Sequence, residues 1–424
     1  MRRINDRINS GVKRRVVITG IGAVTPCGKG WDELWQAVVN GRSALRPFEI
    51  SSDLDYPMRA AAAVRGFDPR DYLDAKTARR LDRSAQLALA AAMLAKTDSH
   101  LDWSGLNKDR MGVIDGTSLG PMAAILETHR CYLEGNICKA TPGLLISGMT
   151  GNSSAAITRM FGLRGVASTV SHGSVSSSCA IGWAFRKVQW GELDLVLAGG
   201  TEAPLSQDVL LPFVHAGVIS TFRGNPVDAC RPFAADRQGF VPGEGAVYLI
   251  IESLEHALTR NANIICEVAG FSENTDAFHP TSPDPVGEML KASILGSLAE
   301  AGIDKEEIGY INLHGTATKL NDMVESKVLG EIFGPVAKQP YSGSTKQITG
   351  HLLGACGSLE AAVTAITLQK QTIPPFRCNY SLDTECPIRV ATNGQDKSNL
   401  KAAMSLNASF GGRNSCLVLK RFSE

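Results

Sequence analysis

Short apolar segments rich in β-branched residues alternate with amphipathic segments along almost the whole chain, and this alternation restricts the fold more than any other feature. The strand-like segments are residues 13–25, 110–117, 193–203, 244–260, 266–274 and 308–316. The clearest helical segments are residues 31–41, 286–302, 322–334 and 358–371. Such alternation predicts layered α/β architecture rather than a helical bundle or a β-sandwich.

The length of the chain and its internal organisation indicate two related halves. Its 424 residues, of which 44% are hydrophobic, suffice for a large core. Residues near 260–265 separate two stretches that contain the same alternation of strands and helices. We therefore predict a basic N-terminal tail at 1–15, an N-terminal half at 16–262 and a C-terminal half at 263–424.

Charge and composition exclude several classes of protein. The 43 basic and 42 acidic residues give a net charge of +1, which argues against a general nucleic-acid binder. No apolar stretch follows the basic tail as in a secretory signal, and the apolar runs are too short for a membrane span. The ten cysteines include no CxxC pair, and Cys131 and Cys138 have no histidine partner. We therefore expect no metal site and a reducing, cytoplasmic location.

Two glycines in the first strand-like segment hint at dinucleotide binding, but the motif is incomplete. Gly20 and Gly22 follow an apolar run, as in the phosphate-binding turn of a Rossmann fold. The third glycine of that motif is misplaced, and no acidic residue ends a second strand about twenty residues later. A glycine-rich loop that serves packing is the favoured interpretation.

Residues 169–189 have the form of a turn that presents a nucleophile. A β-branched segment enters a bend of small polar residues, and an amphipathic helix follows. A side chain in such a bend is presented at a helix N-terminus, where the helix dipole favours negative charge. Two nucleophiles are available, Ser174 and Cys179. Ser174 would also suit the ordinary role of a helix N-cap.

Three other stretches contain residue types that acyl transfer uses. His314 follows a strand, Lys346 and His351 lie in a glycine-rich loop, and Glu360 lies on the next helix. Residues 404–414 form a small-residue loop before the last strand. Singly, each has a plainer explanation, such as a hydrogen-bonded structural histidine or a solvated lysine. Together with a nucleophile they form a set suited to acyl transfer.

Five motifs occur in the order found in a known family. They are VVITGIGAVTPCG from residue 16, RPFAADRQGFVPGEGA from 231, HGTAT from 314, STKQITGHLLGACG from 344 and SFGGRN from 409. With these motifs the chain resembles the elongating β-ketoacyl-ACP synthases (ketosynthases) of the thiolase superfamily. The resemblance implies a duplicated, five-layered α-β-α-β-α fold and a dimer of identical or related ketosynthase-like subunits. It also implies decarboxylative Claisen condensation of malonyl-ACP with an acyl chain, in fatty-acid or type II polyketide synthesis.

The resemblance further implies that the chain itself binds no cofactor, because its substrates are carried on the phosphopantetheine of an acyl carrier protein. Counting back from LAGG at 197–200, the family's catalytic cysteine falls on Ser174. Ser174 is either the natural residue or an introduced one. Cys179 then lies further along the helix as a packing residue. His172 and Gly173 also replace the pair of small hydroxyl residues or alanines usual in the family.

His314, Lys346, His351 and Glu360 match the family's pattern. The resemblance implies that the two histidines donate hydrogen bonds to the enolate formed by decarboxylation. A helix dipole contributes about 1 kcal/mol, too little to ionise an alcohol. Ser174 would therefore need a general base, for which His314 or His351 is the candidate. We expect slow condensation and an intact decarboxylation apparatus.

Four further residues are expected to contact the substrate. Aligned on its glycine pair, SFGGRN places Ala408 where the family has a gating phenylalanine, and Phe410 matches the next phenylalanine. The loss of an aromatic side chain at Ala408 suggests a wider or ungated acyl pocket, unless the loop is shifted. Thr316 and Thr318, in the HGTAT element, complete the predicted substrate-binding residues.

A basic cluster near the start of a predicted helix over residues 75–95 has two interpretations. A solvated basic face is the default. The resemblance implies a docking surface for an acidic carrier protein. The residues concerned are Lys76, Arg79, Arg80 and Arg83, with Arg223 as a further member.

Three functions remain open from the sequence. The first is a condensing enzyme in which Ser174 replaces cysteine. The second is a ketosynthase-like acyltransferase or thioesterase that uses Ser174 without extending the chain. The third is a partner subunit like a chain-length factor, which the retained His314, Lys346 and His351 disfavour. The acyl substrate, the pathway and the choice between homodimer and heterodimer are not determined.

Overall fold

A computed structural model describes residues 13–48, 58–136, 144–377, 379–392, 394–396 and 399–423. Residues 1–12 of the predicted tail and Cys138 lie outside the described residues. The strands are β1 Val16–Thr25, β2 Gly28–Lys29, β3 Arg46–Pro47, β4 Ala60–Ala61, β5 Met111–Gly116, β6 Ala167–Val170, β7 Leu195–Glu202, β8 Gly245–Ser253, β9 Cys266–Thr275, β10 Ile308–Asn312, β11 Tyr341–Gly343, β12 Thr372–Ile373, β13 Gln395–Asp396, β14 Ala402–Ser409 and β15 Arg413–Lys420. The helices are α1 Trp31–Val39, α2 Ala75–Arg80, α3 Arg83–Asp98, α4 Met122–Leu133, α5 Leu144–Ser147, α6 Asn152–Phe161, α7 Ser176–Gln189, α8 Gln207–His215, α9 Leu254–Thr259, α10 Glu288–Ala301, α11 Lys319–Phe333, α12 Lys346–Thr349 and α13 Cys356–Lys370.

One large mixed sheet contains the same arrangement of five strands twice. In the first set, β5 is parallel to β6 and β7, and the pairs β7–β8 and β8–β1 are antiparallel. In the second set, β10 is parallel to β11 and β14, and the pairs β14–β15 and β15–β9 are antiparallel. The two sets join where Val16–Ile18 of β1 pair with Cys266–Val268 of β9. This repetition is the duplication that the sequence predicts.

The helices form three layers with the two strand sets between them. Helices α3 and α6 cover the outer face of the first set, and α10 and α11 cover the outer face of the second. Helices α7 and α13 pack against each other in the middle, inside the largest hydrophobic cluster. The predicted five-layered α-β-α-β-α fold is therefore confirmed. No helix in the described ranges is long and apolar enough to cross a bilayer.

The two central helices bring two sequence-distant turns together. Each is preceded by a single 3₁₀ turn, Gly173–Val175 before α7 and Leu353–Ala355 before α13. These turns contact each other. The fold thus places the predicted nucleophile of the N-terminal half beside the glycine-rich loop of the C-terminal half.

Gly20 and Gly22 lie inside strand β1 rather than in a loop after it, so the predicted loop is wrong. A Cβ on Gly22 would lie 2.0 Å from the carbonyl oxygen of Ala91 in α3, and one on Gly20 would lie 2.7 Å from that of Ala95. Glycine at both positions lets the backbone of α3 approach the sheet. The predicted packing role is therefore correct.

Two segments predicted as single elements each contain two. The segment 75–95 divides because Leu81 is extended and the Asp82 side chain caps α3 by accepting the N–H of Ser84. The segment 244–260 divides at Ser253, whose hydroxyl accepts the N–H of His256 and starts α9. In both cases a polar side chain satisfies free amide groups at a helix N-terminus, and this local capping ends the preceding element.

Because β1 lies in close contact with α3, one methyl group added at Gly22 should strongly destabilise the fold. Gly22→Ala should lower the free energy of unfolding by at least about 1–3 kcal/mol, because backbone atoms of Ala91 and Ala95 cannot yield easily. As a control, Gly330→Ala lies in α11 with nothing near its added Cβ. It should leave stability unchanged or raise it by up to about 1 kcal/mol. Denaturant unfolding of both variants checks this, and equal stabilities would contradict the packing argument.

Candidate active site

Ser174 lies in the 3₁₀ turn that connects β6 to α7. Gly173 adopts a left-handed conformation there, with φ of 61°. The Ser176 hydroxyl accepts the N–H of His172 (2.8 Å) and lies 2.6 Å from the carbonyl oxygen of Gly173. These local bonds fix the turn and present Ser174 at the amino end of α7.

Cys179 does not share this position. Its side chain is 1% exposed and belongs to the hydrophobic cluster between the two strand sets. Burial raises the pKa of the Cys179 thiol far above its usual range, so the reactive thiolate is suppressed. Ser174, not Cys179, lies beside the predicted histidines.

The imidazole of His351 contacts Ser174 through a ring nitrogen that carries hydrogen. Ser174 Oγ lies 3.0 Å from His351 Nε2. The backbone N–H of Leu353 donates to His351 Nδ1 (3.2 Å), so Nδ1 holds the lone pair. In a neutral ring the proton is then on Nε2, which donates to the Ser174 hydroxyl. The side chain of His351 is therefore arranged as a hydrogen-bond donor.

Lys346 fixes the second histidine in the same way. Its Nζ lies 3.3 Å from His314 Nδ1 and donates to the carbonyl oxygen of His314 (2.5 Å). An ammonium group can only donate, so His314 Nδ1 accepts and Nε2 carries the proton. Lys346 also donates to Glu360, whose other carboxylate oxygen accepts from Asn407. Lys346 and Glu360 form an ion pair with side chains only 1% exposed.

The same groups determine the charge of the histidines. Burial, and then the positive charge of Lys346, lower the pKa of both His314 and His351 well below the usual range. Burial alone would lower the pKa of Lys346, but the Glu360 carboxylate raises it above its ordinary value. The site therefore contains one ammonium and two neutral imidazoles.

These tautomers contradict one expectation from the sequence. A general base for Ser174 must offer a lone pair to the hydroxyl proton, but both imidazoles present N–H groups instead. In the described part of the chain, Ser174 Oγ has hydrogen-bonding contact with His351 alone. The assignment of His314 or His351 as the general base is therefore not supported by this arrangement.

Two buried carboxylates that the sequence reasoning missed hold the loops of the site. Glu325 of α11 accepts the backbone N–H groups of His314 and Gly315, each at 2.7 Å. Glu202, at the end of β7, accepts the N–H groups of Ser118 (2.6 Å) and Gly354 (3.0 Å), and so ties the turn after His351 to the other half. Burial raises the pKa of Glu202 to about 7 and of Glu325 to about 8. An acidic residue that ends an apolar strand, or lies among apolar residues of a helix, is the signal that could have found them.

One group of possible metal ligands lies within the site. Ligand atoms of His314, Cys356 and Glu360 lie within 4.8 Å of one another. Lys346 already bonds to His314 and Glu360, and burial raises the pKa of the Cys356 thiol far above its usual range. The cation that these side chains contact is therefore the ammonium of Lys346.

A second group, His172, Cys179 and Glu273, lies beside the nucleophile turn, again with ligand atoms within 4.8 Å. The indole N–H of Trp183 donates to Glu273 (2.8 Å). Burial, and then the nearby guanidinium of Arg413, lower the pKa of His172. The fixed positive charge of Arg413 opposes a metal cation there.

A row of aromatic rings leads from Phe410 to His351. The Phe240 ring lies 4.9 Å from the His351 ring, Phe213 contacts Phe240 edge-on, and Phe410 stacks on Phe213. Phe410 is 40% exposed, which places it at the surface end of the row. This row forms an apolar wall beside His351.

The other predicted substrate-binding residues flank the same region. Ala408 is half-buried near the end of β14, two residues before Phe410. The hydroxyls of Thr316 and Thr318 bond to each other (2.7 Å) in the loop that follows His314.

The predicted docking residues differ in their surroundings. Lys76, Arg79, Arg80 and Arg223 are exposed. Lys76 and Arg80 line an open cavity of about 420 Å³, together with Arg159 and the apolar side chain of Met160. Arg83 instead pairs with the buried Glu244 carboxylate (2.7 Å). Its charge is therefore partly neutralised within the chain, and the free positive charge lies at the other four positions.

Family models described as "Beta-ketoacyl synthase, N-terminal domain" and "C-terminal domain" match residues 13–257 and 265–379. The 3-oxoacyl-[acyl-carrier-protein] synthase 2 of Coxiella burnetii is 35% identical over 96% of this chain and 99% of its own length. The structure of a type II polyketide synthase ketosynthase in complex with its acyl-carrier protein has a TM-score of 0.89 and 28% identity, covering 97% of this chain and 100% of that one. A Xenorhabdus doucetiae ketosynthase–chain length factor complex has a TM-score of 0.81 and 28% identity, covering 96% and 98%.

The buried ion pair predicts that the stability of the fold depends strongly on the Glu360 carboxylate. Glu360→Gln would leave the ammonium of Lys346 buried without its counter-charge, and should lower the free energy of unfolding by about 3–5 kcal/mol. Glu331→Gln is the matched control, because Glu331 pairs with Lys291 at the surface, where both side chains are more than a third exposed. Denaturant unfolding should show little change for this control. Similar losses in the two variants would contradict the assigned role of the pair.

Proposed function

The chain belongs to the β-ketoacyl synthase family, and on that premise we propose that it decarboxylates a malonyl group carried on an acyl carrier protein and condenses the product with an acyl chain. We propose His314, His351 and Lys346 as the decarboxylation apparatus and Ser174 as a weak acyl acceptor. The pathway is fatty-acid or type II polyketide synthesis, in line with the relatives and structural neighbours.

The observation that carries this proposal is the pair of fixed N–H donors. The rings of His314 and His351 lie 5.4 Å apart at nearly a right angle, and the hydrogen bonds to their Nδ1 atoms leave both Nε2–H groups as donors. Two such donors can stabilise an oxygen that gains negative charge. Burial and the positive charge of Lys346 keep both rings neutral.

The proposed reaction begins with acyl loading, in which Ser174 Oγ attacks the thioester carbonyl of acyl-ACP, the C–S bond breaks, and the carrier thiol leaves with the serine proton. Two further steps follow. In the first, the bond between the malonyl α-carbon and its carboxylate breaks, carbon dioxide leaves, and the electron pair enters an enolate whose oxygen accepts hydrogen bonds from His314 and His351. In the second, the enolate carbon attacks the acyl carbonyl carbon on Ser174, and the serine oxygen leaves and regains a proton. Without an acyl chain, the enolate carbon takes a proton from water and an acetyl group remains on the carrier protein.

Acyl loading is the weak step, because no base among the described residues contacts the Ser174 hydroxyl. The His351 N–H donates to Ser174 Oγ and cannot also remove its proton. A Ser174-dependent acyltransferase or thioesterase would need that base. A non-catalytic partner subunit would not need the three remaining groups. The decarboxylating condensing enzyme therefore accounts best for the site.

We propose an acyl carrier protein as the partner, docked on Lys76, Arg79, Arg80 and Arg223. The exposed positive charge supports an acidic partner, and a structural neighbour is solved with its carrier protein. Met160, 40% exposed at the same cavity, adds an apolar contact.

We also propose a dimer with an identical or a ketosynthase-like subunit. Strand β6 ends the large sheet with an unpaired edge among the described strands. Elsewhere in the N-terminal half, Tyr132, Leu133 and Leu145 are each more than 60% exposed, and a partner subunit could cover such apolar side chains.

We propose a cytoplasmic location. Eight cysteines in the described ranges are free thiols, as expected in a reducing compartment. This agrees with substrates carried as thioesters on a carrier protein.

Mass spectrometry measures decarboxylation and acyl loading separately. With malonyl-ACP alone, the chain should form acetyl-ACP, and His314→Ala or His351→Ala should slow this about 10²–10³-fold, since each removes one donor to the enolate. The control His100→Asn alters an exposed histidine whose positive φ suits asparagine. With acyl-ACP, Ser174 should become acylated slowly, and Ser174→Cys rapidly. Fast acylation of Ser174 and release of the acyl group, without decarboxylation, would overturn the proposal in favour of an acyltransferase or thioesterase.

A further inference from the structure

The hydroxyl of Ser409 accepts a hydrogen bond from the backbone N–H of Ser174, the predicted nucleophile. The N–H of Ser174 donates to Ser409 Oγ (3.0 Å), and Ser409 Oγ–H donates to the carbonyl oxygen of Phe410 (3.1 Å). Ser409 is the last residue of β14, 235 positions away in the sequence. One backbone N–H beside the nucleophile is thus satisfied by a side chain from the other half of the molecule.

Gly173 provides the space for this contact. A Cβ on Gly173 would lie 2.1 Å from Ser409 Oγ and 3.5 Å from Ser409 Cβ. Any larger residue at 173 would therefore displace the Ser409 hydroxyl, and the φ of 61° at Gly173 also disfavours other residues. Gly173 and Ser409 form a matched pair across the two halves.

The N–H of Ser174 lies where acylation creates negative charge. Ser174 is the second residue of the 3₁₀ turn that leads into α7. Its N–H is therefore one of the amide groups at a helix start that lack a partner within the helix. When Ser174 attacks an acyl carbonyl, the carbonyl oxygen becomes an oxyanion next to that N–H. A backbone donor in this position stabilises the tetrahedral intermediate only if it is free to bond to it.

We propose that Ser409 is an internal ligand of the oxyanion position, and that its hydroxyl controls whether Ser174 accepts an acyl group. This rests on the proposed function, because it concerns acyl loading of the same site. An incoming acyl group must displace the Ser409 hydroxyl from the N–H of Ser174. Ser409 is only partly buried, so its side chain can turn away from the site. Decarboxylation uses the side chains of His314 and His351 instead. Ser409 therefore affects acyl loading and not decarboxylation.

The test measures acylation of Ser174 with p-nitrophenyl acetate. Ser409→Gly and Ser409→Ala both free the N–H of Ser174, and each should raise the rate of acetyl-adduct formation about 10–100-fold. Ser174→Ala gives the blank. Ser171→Ala is the matched control, because Ser171 also lies between β6 and α7 but its hydroxyl donates to the carbonyl oxygen of Ser118 instead of accepting the N–H of Ser174. Its rate should equal that of the parent. The same Ser409 variants, combined with Ser174→Cys, repeat the comparison with a faster acylation reaction.

The ratio of acylation to malonyl-ACP decarboxylation distinguishes this inference from general opening of the site. Ser409→Ala should raise the ratio at least tenfold, and a preserved thermal unfolding midpoint shows that the variant is folded. An unchanged acylation rate in both Ser409 variants, or a parallel rise of both reactions, would overturn the inference. Absence of decarboxylation in the parent chain would instead reject the proposed function, while the acylation rates would still decide the role of Ser409.

Discussion

The ammonium group of Lys346, buried between a carboxylate and an imidazole, determines the rest of the site. Its pairing with Glu360 keeps it charged in the core. Its contact with His314 Nδ1 directs the proton of that ring to Nε2, and its positive charge adds to burial in lowering the pKa of His351. Without this cation, the buried imidazole of His314 could adopt either tautomer, and its Nε2–H donor would not be fixed.

The duplicated fold is what brings these groups to the nucleophile. The central helices α7 and α13 begin at equivalent places in the two halves, and the turns that precede them contact each other. Ser174 comes from the first half, while His314, His351 and Ser409 come from the second. Glu202 joins the halves directly, because it accepts the N–H of Gly354 next to the His351 loop. The site therefore depends on the packing of the whole chain.

Much of the fold and of the site could be predicted from the sequence. The alternating pattern predicts the layers, and the motifs identify Ser174, His314, Lys346, His351 and Glu360, which the structure brings together or links through hydrogen bonds. The boundaries inside 75–95 and 244–260 could not be predicted, because single side-chain caps set them.

Properties set by three-dimensional contacts were also beyond the sequence. The histidine tautomers depend on the N–H of Leu353 and the ammonium of Lys346, and the contact of Ser409 with Ser174 joins residues far apart in the chain. The central claim is that both histidines are neutral donors, and ¹⁵N NMR of histidine-labelled protein tests it most directly. Since both pKa values lie well below the usual value of about 6.5, the account predicts protonated Nε2 and unprotonated Nδ1 in both rings from about pH 8 to pH 6. An Nδ1–H tautomer of His351, or an imidazolium that forms near pH 6.5, would contradict it.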